Sequence, residues 1–139
     1  PADAVGTNTA NWIRNSTIQD FIDDIDTKQT LLITDACFAG SIFKSRGAFQ
    51  DASIAVNKLY SLRSRKAMTS GTLKEVPDRS VFLEYFSGRL HDNEKKYISA
   101  GELFSSMREA VLNNSPNIPQ YGVIQDTGDE GGDFIFIKR

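Results

Sequence analysis

The sequence contains one cysteine and one histidine. A disulfide within the chain is therefore excluded, and so is a zinc site built from clustered Cys and His ligands. Charge of one sign is not in surplus either: 16 Lys and Arg stand against 18 Asp and Glu, a net charge of −2. Nucleic-acid-binding domains usually carry a basic face, so no nucleic-acid partner is expected. No apolar run approaches the roughly 20 residues of a membrane-spanning helix, and no membrane association is expected. The opening PADAVGTNTANW lacks the basic region followed by an apolar stretch that marks a signal peptide. A lone thiol suits a reducing compartment, which makes the cytoplasm the expected location. Internal repeats and low-complexity segments are also missing. What is there, 139 residues with 40% hydrophobic and 24% charged, has the make-up of one soluble domain. The chain opens on Pro1 rather than Met, so a fragment or a processed product is the expectation.

Hydrophobic periodicity divides the chain into alternating helices and strands. Ser16 and Gln19 form a capping-box pattern ahead of Ile18, Phe21, Ile22 and Ile25, which recur on one helical face. Thr30–Thr34 is a short run without alternation, as in a strand buried on both faces of a parallel sheet. Residues 41–50 read as a loop, 52–63 as helical and 65–71 as a second strand ending in a turn. Ser80 opens a helix carrying Val81, Phe82, Tyr85, Phe86 and Leu90. Ser99 with Glu102 opens another, carrying Leu103, Met107, Ala110 and Val111, which Asn113–Pro116 stops. Tyr121–Gln125 and Phe134–Ile137 read as short strands around a Gly/Asp turn at 126–133. Such alternation predicts an α/β domain with a mainly parallel sheet, whose ligand sites gather at the carboxyl ends of its strands.

Cys37 falls just past the carboxyl end of the first clear strand, with an acid two residues before it and Ala39 and Gly40 after it. Most free cysteines are small buried hydrophobes, and that alternative stands beside the reading of Cys37 as a nucleophile. A thiol nucleophile needs a base to form the thiolate and N–H donors for the developing oxyanion.

The run Leu31-Leu32-Ile33-Thr34-Asp35-Ala36-Cys37-Phe38-Ala39-Gly40 resembles the nucleophile strand of caspase-like cysteine peptidases of the metacaspase and bacterial orthocaspase branch. Animal caspases have Gln-Ala-Cys there, followed by Arg, Gln or Gly and then Gly. The acidic form seen here, Asp35-Ala36-Cys37, is typical of metacaspase-like members. Lys66–Gly71 is similar to the family's following strand, and Asp78–Phe82 to its loop entering the next helix. Pro119–Gly122 and Gly131–Phe134 resemble its C-terminal segment. Pro1–Asp3 and Asn11–Ile13 look like the stretch between the family's histidine and cysteine. The likeness spans nearly the whole chain through the order and spacing of these segments.

The resemblance implies a caspase-like three-layer sandwich, of which residues 1–40 end the large-subunit-like region, 41–65 form a linker-like segment and 66–139 the small-subunit-like region. It implies that Cys37 attacks a peptide carbonyl and forms a thioester. Asp35 then pairs with a substrate Lys or Arg, and Asp78 is a second, weaker candidate for lining the same pocket. A partly buried carboxylate needs a cationic partner or strong hydrogen bonds, and a guanidinium binds it in bidentate fashion. The alternative for Asp35 is a structural carboxylate accepting backbone N–H groups, and for Asp78 a surface acid. The family's base is the His of a His-Gly pair about 50 residues before the cysteine. No histidine precedes Cys37. His91 is expected to decorate a helix C-terminus, where a partly positive imidazole is favourable. The N-terminal strands and the catalytic His are therefore expected on an absent N-terminal segment or another chain. That segment and a peptide substrate with a basic cleaved residue are the implied partners.

No cofactor is implied. Asp126, Asp129 and Glu130 lack the spacing of an EF-hand loop, so no metal site is carried over. Lys44, Arg46, Lys58, Arg63 and Arg65 are candidate self-processing positions, with a solvated basic face as the alternative. The function implied is hydrolysis after Arg or Lys through a Cys–His dyad. The rival is a catalytically inactive caspase-like module acting as a scaffold or regulatory partner.

Overall fold

A computed structural model describes residues 13–37, 43, 56–71 and 79–139. In chain order the elements are α1 (Asn15–Asp23), β1 (Gln29–Cys37), α2 (Val56–Ser61), β2 (Ser64–Gly71), α3 (Val81–His91), β3 (Tyr97–Ser99), α4 (Ala100–Asn114), β4 (Gln120–Val123) and β5 (Ile135–Ile137). Strand β2 lies between β1 and β4, while β3 and β5 form a separate antiparallel pair. The fold is mixed α/β.

The β1–β2 pairing is parallel, with Leu32 opposite Ala67 and Ile33 opposite Met68. The unalternating apolar run of β1 predicts the parallel pairing, but among the described residues β1 is an edge strand and only half-buried, and it is β2 that is buried on both faces. The β2–β4 pairing is antiparallel, with Met68 opposite Tyr121, so the described sheet is mixed rather than mainly parallel. The reason lies in the connection. A single crossover helix returns the chain for a parallel strand. Between β2 and β4 the described residues form two helices, α3 and α4, joined through the three-residue β3 of the other sheet, and the extra reversal turns β4 around.

Every residue of β2 is buried, and alternate residues serve two cores. Met68 packs with Phe82 of α3 and with Phe104, Met107 and Val111 of α4. Ala67, on the opposite face, packs with Ile22 of α1 and with Ile124, flanked by Ile18, Leu32 and Phe43. Helices thus cover both faces of the strand. Burying each large side chain fully contributes about 1.5–3 kcal/mol, so α4, which buries Leu103, Phe104, Met107 and Val111, anchors its face most firmly.

The caps match the sequence reading at two helices and differ at the third. Ser80 Oγ accepts from the Leu83 amide at 3.0 Å, and Ser99 Oγ from the Glu102 amide at 3.1 Å. The Glu102 carboxylate turns instead to Lys95, so only half of the capping box forms. Helix α1 already begins at Asn15, after Arg14 and without a side-chain cap, which puts Ser16 inside the helix. The Gln19 amide reaches Gln125 O at 3.4 Å rather than back to the helix start. Helix α1 also stops before Ile25, and Phe21 remains 66% exposed, so its core face consists of Ile18 and Ile22 alone.

The Gly/Asp turn braces the amino end of β2. Asp129 Oδ2 accepts from the Arg65 amide at 2.8 Å and Oδ1 from Lys66 Nζ at 3.1 Å, while Glu130 Oε2 accepts from the Arg63 amide at 3.2 Å. Gly132 lies so close to the connection between α2 and β2 that a Cβ would fall 2.3 Å from Leu62 O. Glycine at that position is required by the close backbone approach.

Candidate active site

The carboxyl ends of β1 and β2 lie side by side, at the edge where parallel strands present ligand sites. Thr34 pairs with Thr69, and Cys37 pairs with Gly71. Two residues of β1, Asp35 and Ala36, therefore stand opposite one residue of β2, Ser70. The register shifts here by one residue, a bulge-like irregularity of the kind that re-aims side chains and is frequent beside active sites. Cys37 is the last residue of β1, not the first residue beyond it. Its neighbour Gly71 is in close contact with buried Asn117, since a Cβ on Gly71 would lie 2.8 Å from Asn117 Cβ.

Four side-chain atoms at this edge are buried and without a hydrogen-bond partner: Thr34 Oγ1, Asp35 Oδ1, Thr69 Oγ1 and Ser70 Oγ. Each such atom costs about 1–3 kcal/mol, and folded proteins keep few of them. Strand alternation divides the four. Thr34 and Thr69 follow Leu32 and Ala67 onto the α1 face. Ser70 follows Met68 onto the face of α3 and α4, as Asp35 follows Ile33. The α3/α4 side of the bulge thus combines a carboxylate oxygen and a hydroxyl, both desolvated and both open to a donor. A cation with several N–H groups is the ligand that such a pair can accept.

Other sequence candidates distribute around this edge or away from it. Asp78 lies outside the described residues, as do Phe38–Gly40, Lys44, Arg46 and the stretch before Ile13. His91 is the exposed last residue of α3, the helix C-terminus expected for it. Lys58 is exposed on α2. Arg65 is not a processing position: it is 0% exposed and lies within β2. Its guanidinium donates to Ile25 O at 2.9 Å, Thr27 O at 2.8 Å and Ser64 O at 3.0 Å, so a peptidase has no extended, accessible segment to bind there. Desolvation, followed by the neighbouring charge of Arg63, lowers its pKa from the ordinary arginine value.

Two segments that carry the family likeness meet in a structural cluster. Asp133 accepts from the Tyr121 hydroxyl in a short hydrogen bond, from the Gly101 amide at 3.0 Å and from the Phe134 amide at 2.8 Å. The carboxylate faces the first turn of α4, where a negative charge is favoured by the helix dipole. Burial, and then the charge and hydrogen bond of Asp133, raise the Tyr121 phenol well above its ordinary value of 10.0. The folded protein therefore keeps this proton where the unfolded chain has lost it. The contribution is fully present below about pH 10 and is lost progressively as pH rises beyond it. Tyr121→Phe is expected to flatten the fall in stability between pH 9.5 and 11.5 on the order of the loss of one titrating group. Urea unfolding at a series of pH values measures this, and equal slopes in both proteins would contradict it.

Sequence reasoning missed Ser70, Asn117 and the bulge. The available signal was the Thr69-Ser70-Gly71 run at the carboxyl end of the second strand. No protein-family model matches the chain, and no curated protein or solved structure matches it. No helix among the described residues is long and apolar enough to cross a membrane.

Proposed function

We propose that this chain is the nucleophile-bearing part of a caspase-like cysteine endopeptidase that hydrolyses peptide bonds after Arg or Lys. The observation that carries the reading is Asp35 Oδ1, buried and unpartnered at a bulge two residues before Cys37. A desolvated carboxylate oxygen is stabilised by a cation, and the cleaved residue's guanidinium or ammonium supplies one. The Cys37 thiolate attacks the scissile carbonyl, and its own backbone N–H is one donor to the oxyanion. The amine leaves with a proton, and water hydrolyses the thioester. The base is a histidine outside residues 1–139, brought to this edge by the remainder of the caspase-like sandwich. The lone thiol suits the reducing cytoplasm.

A second reading is an inactive scaffold of the same fold, since the one histidine of these 139 residues, His91, is exposed at the end of α3. One experiment separates the two. The full-length protein is incubated with a peptide acyloxymethyl ketone ending in Arg, and its adducts are mapped by mass spectrometry. One adduct on Cys37 is expected of the peptidase, and none of the scaffold.

A further inference from the structure

We propose that Ser70 is a specificity-determining residue that selects Arg over Lys as the cleaved residue, its hydroxyl accepting an N–H of the guanidinium held by Asp35. The inference rests on the peptidase reading above and adds to it a second acceptor and a preference between the two basic side chains.

Strand β2 is buried at all of its positions, and Ser70 is 4% exposed with an unpartnered Oγ. An apolar residue there would avoid the penalty of a desolvated hydroxyl, so the serine is explained by a partner that arrives from outside. The pairing places Ser70 alone opposite Asp35 and Ala36 across one interstrand gap, about 4.8 Å wide in β-sheets. Among the described residues Asp35 Oδ1 is the other unpartnered acceptor at the carboxyl end of that side of the strand pair; Ser64 Oγ, also unpartnered, lies at the opposite, amino end of β2. The hydroxyls of Thr34 and Thr69 lie on the opposite face with Leu32 and Ala67 and cannot share its ligand.

The two basic side chains differ in what they demand of such a pair. A guanidinium is planar, with five N–H donors in a rigid fork, and needs acceptors at more than one point of its rim. An ammonium is a compact, strongly hydrated charge with three donors, which one carboxylate and water satisfy. A carboxylate with a hydroxyl beside it therefore favours Arg, and the carboxylate alone discriminates less.

The test uses the full-length protein and two fluorogenic peptides that differ only in carrying Arg or Lys at the cleaved position. Ser70→Ala is expected to lower the Arg-to-Lys ratio of kcat/KM about tenfold, the loss of one hydrogen bond to a charged group. The Tm of Ser70→Ala should equal or exceed that of the wild type, because an unsatisfied buried hydroxyl has been removed. Ser70→Thr, which keeps the hydroxyl, should retain the Arg preference. An unchanged ratio in Ser70→Ala, or equal losses on both peptides, would overturn the inference while leaving the peptidase reading intact. A wild-type protein that cleaves neither peptide and whose Cys37 takes no Arg-directed adduct would overturn both.

Discussion

Asp35→Ala is expected to lower kcat/KM for a reporter with Arg at the cleaved position by about a hundredfold to a few thousandfold while leaving Tm at or above the wild-type value. Removing one partner of a buried ion pair costs about 3–5 kcal/mol, and each 1.4 kcal/mol is a factor of ten in rate. Asp35 Oδ1 has no hydrogen-bond partner among the described residues, so truncation removes a desolvation penalty rather than a bond. Activity and stability therefore move apart. Asp35→Asn preserves the shape and removes the charge, and it should fail on basic substrates almost as severely. A carboxylate that instead organised the bulge by accepting backbone N–H groups would lose activity and Tm together. Steady-state kinetics with Arg, Lys and Asp reporters, paired with thermal unfolding, distinguishes these outcomes. A wild-type preference for Asp would remove the role given to Asp35.

Arg65→Met is expected to destabilise the protein by about 3–5 kcal/mol, because each carbonyl left without its donor costs about 1–3 kcal/mol. The side chain is 0% exposed and ties the connection between α1 and β1 to the amino end of β2 through the carbonyls of Ile25, Thr27 and Ser64, with a longer contact to Lys28 O. Methionine fills much of the same volume and donates no hydrogen bond, which leaves those carbonyls without their donor. Lysine restores the charge without the fork, so Arg65→Lys should recover only part of the loss. Whole domains are stable by only about 5–15 kcal/mol, so the Met variant should be partly unfolded at 37 °C. Urea denaturation measures the difference, and a loss under about 1 kcal/mol would contradict the role assigned to the guanidinium.

The distribution of these effects shows what was legible in the residues and what was not. Strands β1 and β2 and helices α3 and α4 could be read because apolar periodicity, Ser80, Ser99 and the Asn-Asn-Ser-Pro stop act locally. The start of α1 could not, since tertiary packing of Ile18 and Ile22 extends the helix past Ser16, its expected cap. Strand β3 is three residues long and ends at Ser99, too short for alternation to register. The antiparallel β4 follows from counting two helices between strands, a parity that periodicity alone does not weigh. At the candidate site, Cys37 and Asp35 stand out by residue type and by position at a strand end. Ser70 was not, because its place opposite Asp35 is a property of the register between two strands. Arg65 reads as a surface cation, and only the distant carbonyls of residues 25–28 explain its burial.

The most direct measurement is the adduct on Cys37. Full-length protein treated with matched acyloxymethyl ketone peptides ending in Arg or Asp should yield one adduct per chain with the Arg peptide, mapped to Cys37. The Asp peptide should react far more slowly, and Cys37→Ala should give no adduct at all. Absence of the Arg adduct, or faster labelling by the Asp peptide, would contradict a Cys37 nucleophile served by an Asp35 pocket for basic side chains.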